Sequence, residues 1–162
     1  IHPADVGRLA ALEIIASMQP IHATADYEMA DRYWGGRSAL AYNARVQIDQ
    51  GVRDAFGSDA PVEPFAPLVG IHAAVTRRRA DGTPGEAGWY PALRLSVDEA
   101  IRGYTEGAAY AAGMEDRLGR IAPGFLADLT ILERDPYAIP PDDLLTVKVV
   151  GTMTGGVWRY GG

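Results

Sequence analysis

The tightest constraint on how this chain can fold comes from two short apolar runs and the loops that follow them. Glu13-Ile14-Ile15-Ala16-Ser17-Met18 and Val52 to Phe56 each read as a buried strand that empties into a polar, proline-containing loop. Helical patterns surround them. Pro3 to Leu12 has Pro3 suited to a first turn and Val6, Leu9 and Ala10 on one face. Tyr27 to Trp34 is a short helix broken by Gly35-Gly36. Ser38 to Gln50 reads as a longer one, with Ser38 as N-cap and Gly51 as the stop. The order is helix, strand, helix, strand, with a polar loop after each strand. That order predicts an α/β chain built on a parallel sheet or barrel.

The remainder changes character partway. Leu68 to Arg77 is a helix, Arg78 to Arg94 a Gly- and Pro-rich excursion, and Ser96-Val97-Asp98-Glu99 a capping box that opens a helix to about Ala112. After Gly113 the chain turns β-rich, with a strand over Ala127–Glu133, a proline-opened turn over Pro140–Leu145, and strands Thr146–Met153 and Val157–Tyr160 joined through Gly155-Gly156. A boundary between residues 113 and 114 is therefore expected.

Composition narrows the function. The 162 residues suffice for one sizeable core. A net charge of -6 argues against a nucleic-acid partner. With no cysteine, disulfides and thiolate metal sites are excluded, so a metal here needs His and carboxylate. No apolar run reaches the ~18 residues of a membrane span. Ile1-His2-Pro3 has neither a basic region nor an apolar signal core, and a cytoplasmic location is the expectation.

Asp59 is the first candidate for chemistry. Phe56-Gly57-Ser58-Asp59-Ala60-Pro61 delivers one carboxylate at the end of a strand, where α/β enzymes place catalytic groups. Such an aspartate can be a metal ligand, a general base, or a residue that caps a turn. His22, in the loop after the first strand, is either a site residue or a hydrogen-bonded loop histidine. Arg45, inside a helix, can pair with a carboxylate or reach a substrate anion. Trp34, Trp89 and Tyr90 can line a pocket or pack loops. Arg77-Arg78-Arg79 reads as a solvated charge run, and His72 as structural.

Several segments together resemble the C-terminal part of metal-dependent amidohydrolases, in the branch that includes N-substituted formamide deformylases. They are Ala16 to Ala23, Phe56 to Pro64, Gly88-Trp89-Tyr90-Pro91, Ala100 to Ala112, Gly119 to Leu129 and the terminal hairpin. The resemblance implies the end of a (β/α)8 barrel over 1–113, with strands seven and eight at Met18 and Asp59, and strands of a small β-sandwich over 114–162. It implies that Asp59 is a metal ligand and proton carrier for a water attacking an amide or related C–N bond of a small molecule. His22, Arg45 and Trp89 become substrate-binding residues, and the metal a divalent ion of the zinc type. The family's other ligands are expected before Ile1, so the isolated chain is expected to be inactive. Open sheet edges make homo-oligomers an expectation. The competing reading is a non-catalytic scaffold or oligomerisation module that reuses the end of a barrel.

Overall fold

The computed structural model describes residues 1–161. The chain opens with a 3-10 turn, Pro3–Asp5, and helix α1, Arg8–Ala11. The single helix expected over Pro3–Leu12 is split because Gly7 sits at φ +86°, outside the helical region. β1 (Ala16–Met18) and β2 (Asp54–Phe56) then pair in parallel, Ala16 opposite Asp54 and Met18 opposite Phe56. Parallel strands require a crossover. Here it consists of α2 (His22–Ala25), α3 (Tyr27–Trp34), a 3-10 turn over Gly35–Leu40, and α4 (Ala44–Asp49).

Two expectations fail in this crossover. The loop after β1 contains a helical turn, α2, which His22 opens. The helix expected from Ser38 starts only at Ala44, where the Asn43 side chain accepts the Val46 N–H at 3.0 Å. Ser38 cannot cap it. Its buried hydroxyl lies 2.8 Å from the Asp31 carboxylate and 2.8 Å from the Tyr90 hydroxyl.

Beyond β2 run α5 (Pro67–Thr76), the excursion 77–95, and α6 (Val97–Arg102). The capping box forms as expected: Glu99 N–H donates to Ser96 Oγ at 3.2 Å, and Ser96 N–H to Glu99 Oε2 at 2.8 Å. α6 runs on through a π turn, Gly103–Gly107, into α7 (Ala108–Ala111). The two glycines, four residues apart, let this helix lie directly on β2. A Cβ on Gly107 would stand 2.0 Å from the Asp54 carbonyl oxygen, and one on Gly103 2.3 Å from the Phe56 ring. Phe56, Ile71, Ala74, Leu95 and Ala100 form the core between strand and helices.

The second sheet is antiparallel, in the order β3 (Leu129–Leu132), β4 (Val149–Thr154), β5 (Val157–Tyr160). Its hairpin turns at Gly155 and Gly156, φ +56° and +77°, as two-residue connections favour. The 3-10 turn Pro141–Thr146 ties this region to the first. It inserts Leu144, which is fully buried, into the core beside α5; burial of that size stabilises by about 2 kcal/mol. Asp142 of the same turn meets the buried His72 at 3.3 Å and also pairs with Arg78. Burial lowers the His72 pKa, which keeps its ring neutral and able to donate to the carboxylate.

Candidate active site

The loops leaving the C-terminal ends of β1 and β2 meet. His22 is the fourth residue past β1 and Asp59 the third past β2. The His22 Nε2 and Asp59 Oδ2 atoms are 3.5 Å apart, an ion pair when the imidazole is protonated. The two sequence-selected residues thus converge, although 37 positions separate them. Asp59 sits at φ +59°, a left-handed conformation that aspartate tolerates better than most residues. Its carbonyl closes a turn by accepting the Val62 N–H at 2.8 Å. Its side chain is about half exposed, whereas that of His22 is mostly buried, and Nε2 itself is buried without a hydrogen-bond partner.

Tyr42 and Asp26 complete the surroundings. The Tyr42 ring meets the His22 ring edge-on at 6.3 Å, and its hydroxyl donates to Asp26 Oδ2 at 2.8 Å. Burial, with help from that anionic acceptor, pushes the Tyr42 pKa up to about 12, so Tyr42 stays a neutral donor. Sequence reasoning missed both residues, because 16 positions separate them and neither stands in a strand-end motif.

The arginine triplet is the largest correction. It is not a solvated charge run but the mounting of the site loops. Arg77 is 4% exposed; its Nε donates to the Trp89 carbonyl at 3.0 Å and a terminal nitrogen to the Tyr42 carbonyl at 2.9 Å. Burial moves its pKa down to about 10, so it remains charged at neutral pH. Arg79 donates to the Thr24 and Ala25 carbonyls, both at 2.8 Å, and so holds the end of α2. Arginine suits such a role because its planar fork can serve several carbonyls at once.

The other two selected residues lie apart from the His22–Asp59 pair. Trp89 is 6% exposed, with its indole N–H on the Asp31 carboxylate at 3.1 Å and the Arg77 guanidinium 4.9 Å from its ring. Arg45 pairs with Asp49 at 3.0 Å and with Glu99, clamping α4 to α6. The Arg45 hydrogen bond holds the Glu99 pKa down at about 2.

Tyr104 supports the site from behind. It lies in the π turn, and its hydroxyl donates to the Gly57 carbonyl, two residues before Asp59, at 3.2 Å. Burial raises its pKa to about 12. π turns recur near functional sites, and this one orients a tyrosine toward the strand end.

Asp59 and His22 are donors of the kind that hold zinc-type ions, and the unpartnered His22 Nε2 leaves a polar atom free beside the carboxylate. Among the described residues, however, no three His, Asp or Glu side chains cluster closely enough to hold an ion. This chain's residues fit one side of a metal centre and do not make a whole one.

Comparison with known proteins bears on the same residues. The chain is 36% identical to YtcJ of Bacillus subtilis, whose name marks it as an amidohydrolase, over 96% of this chain and 29% of that one. It is 34% identical to N-substituted formamide deformylase of Arthrobacter pascens, over 74% of this chain and 21% of that one. A metal-dependent hydrolase of Pyrococcus horikoshii superposes on 87% of this chain with a TM-score of 0.76 and 26% identity, using 28% of its own length. The chain therefore spans less than a third of the length of these relatives. The amidohydrolase family's sequence model matches residues 1–160, and this chain belongs to that family.

Proposed function

We propose that this chain supplies the last two strands of a (β/α)8 barrel over 1–113 and part of a β-sandwich over 114–162, and that it works within a metal-dependent hydrolase acting on an amide or related C–N bond of a small molecule. The observation that carries the reading is the convergence of His22 and Asp59, 3.5 Å apart, past the C-terminal ends of adjacent parallel strands. In barrel enzymes this is the end where catalysis occurs. The remaining ligands of the metal would come from outside these 162 residues.

Asp59 would hold a divalent ion, of the zinc type, which when bound makes water a nucleophile near neutral pH and polarises a carbonyl. The other steps belong to this chain. The Asp59 carboxylate accepts the proton of the attacking water as its oxygen bonds to the carbonyl carbon. It returns that proton to the nitrogen as the C–N bond breaks, so that water and amide become acid and amine. His22 Nε2, when protonated, donates to the oxygen on which charge develops, and its place against Tyr42 fixes the ring. Trp89 and Arg45 act on the substrate indirectly, by holding the loops and helices that frame the pair.

The test is Asp59→Asn in the full-length, metal-loaded protein. Turnover is expected to fall by about a thousandfold or more, with an unchanged circular dichroism spectrum. Near-normal turnover in that variant would overturn the assignment.

A further inference from the structure

A cavity of about 440 Å³ adjoins the His22–Asp59 pair, a volume suited to a small-molecule group. Met18, at the end of β1, lies in its wall with Leu40 and the Trp34 and Tyr42 rings, whose centroids are 6.1 Å apart. The same Tyr42 ring touches His22. A molecule with its cleavable bond at Asp59 therefore has only one ring to cross before entering the cavity.

The charges of the cavity are all of one sign. Arg37 and His2 line it, and no Asp or Glu does. The nearest acids by sequence are already engaged: Asp26 accepts from Tyr42, and Asp31 accepts from Ser38 and Trp89. Arg37 is exposed and, among the described residues, forms no ion pair. His2 Nδ1 accepts the Ala4 N–H at 3.2 Å, which leaves Nε2 as the proton-bearing, donating nitrogen. Two donors, one permanently charged, thus face an aromatic and aliphatic wall.

We infer that this cavity selects an amide substrate whose apolar or aromatic arm ends in a carboxylate, with Arg37 as the residue that reads the anion. The inference rests on the hydrolase reading above. An arginine fork receives a carboxylate through two parallel hydrogen bonds, and the Trp34–Tyr42 pair flanks the flat arm behind it.

The test compares N-formyl-4-(aminomethyl)benzoate with N-formylbenzylamine, which lacks the carboxylate, on the full-length protein. Wild type is expected to favour the carboxylate by about tenfold or more in kcat/KM, the size of one charge-assisted contact. Arg37→Gln is expected to erase that preference, and Arg37→Glu to reverse it. Calorimetry with 4-(aminomethyl)benzoate protected as its N-formyl derivative reads binding separately from turnover. Cleavage of both compounds at equal kcat/KM, unchanged in Arg37→Gln, would overturn the cavity assignment and leave the hydrolase reading intact. Binding of the carboxylate compound that is lost in Arg37→Gln, with no amide cleaved, would sustain the cavity assignment and overturn the hydrolase reading.

Discussion

Asp54 and Asp59 stand at opposite ends of one strand, and the contrast between them shows what each end is built for. Asp54 begins β2, is 8% exposed, and has no hydrogen-bond partner on either carboxylate oxygen. Burial alone raises its pKa to about 7. Asp59, past the other end, is half exposed, stands beside an imidazole, and has room around it. The backbone repeats the contrast. At the Asp54 end a helix lies so close that glycine is required at 107, whereas a Cβ on Gly57, near Asp59, would meet nothing within 4 Å. One end is packed to the limit and the other is left open for something to enter. A cavity of about 540 Å³ also borders Asp54, among Arg53, Arg102 and Arg120, but it lies away from the His22–Asp59 pair.

The sharpest way to break the comparison is a matched pair of alanines. Gly107→Ala, with its Cβ 2.0 Å from a backbone oxygen, is expected to destabilise by about 3 kcal/mol or to prevent folding. Gly57→Ala is expected to stay within about 1 kcal/mol of wild type. Urea unfolding of both reads the difference, and equal costs would mean that the two ends are equally packed.

The next effect concerns charge. Because the folded pKa of Asp54 lies above its unfolded value, wild type loses stability as pH rises from the unfolded carboxylate range through about 7. Asp54→Asn removes that slope. The variant is expected to match wild type near pH 4 and to exceed it above pH 7 by on the order of 2 kcal/mol, after allowance for partial solvation. Urea midpoints across pH provide the measurement, and parallel profiles would show that Asp54 is solvated after all.

The smallest effect lies between the ends. Tyr104→Phe removes the hydroxyl that supports the Gly57 carbonyl and is expected to cost about 1 kcal/mol. In the full-length protein it should also slow turnover, since the support lies two residues from Asp59.

Local signals in the sequence were sufficient for much of this. The capping box at Ser96–Glu99, the glycine hairpin and the strand ends that carry His22 and Asp59 all depend on residues a few positions apart. What escaped was set by distant partners. Ser38 looks like an N-cap, but its hydroxyl is engaged by Asp31 and by Tyr90, 52 residues away. Three consecutive arginines look like surface charge, yet Arg77 is drawn inward by carbonyls at Tyr42 and Trp89. Asp54 inside an apolar strand gives no sign that its oxygens will find no partner. The Tyr42–Asp26 bond joins two loops whose approach only the crossover geometry determines.

The placement of Arg77 and Arg79 has a consequence for how such a site can diversify. Both grip backbone carbonyls, not side chains, in the segments that carry His22, Tyr42 and Trp89. A carbonyl is present whatever residue occupies the position. Side chains that face the cavity, such as Trp34, Arg37 and Leu40, can therefore be exchanged while the frame that presents them stays fixed. The anchoring and the recognition are separate inheritances, and a library that varies the second while sparing the two arginines should return folded proteins with altered tastes.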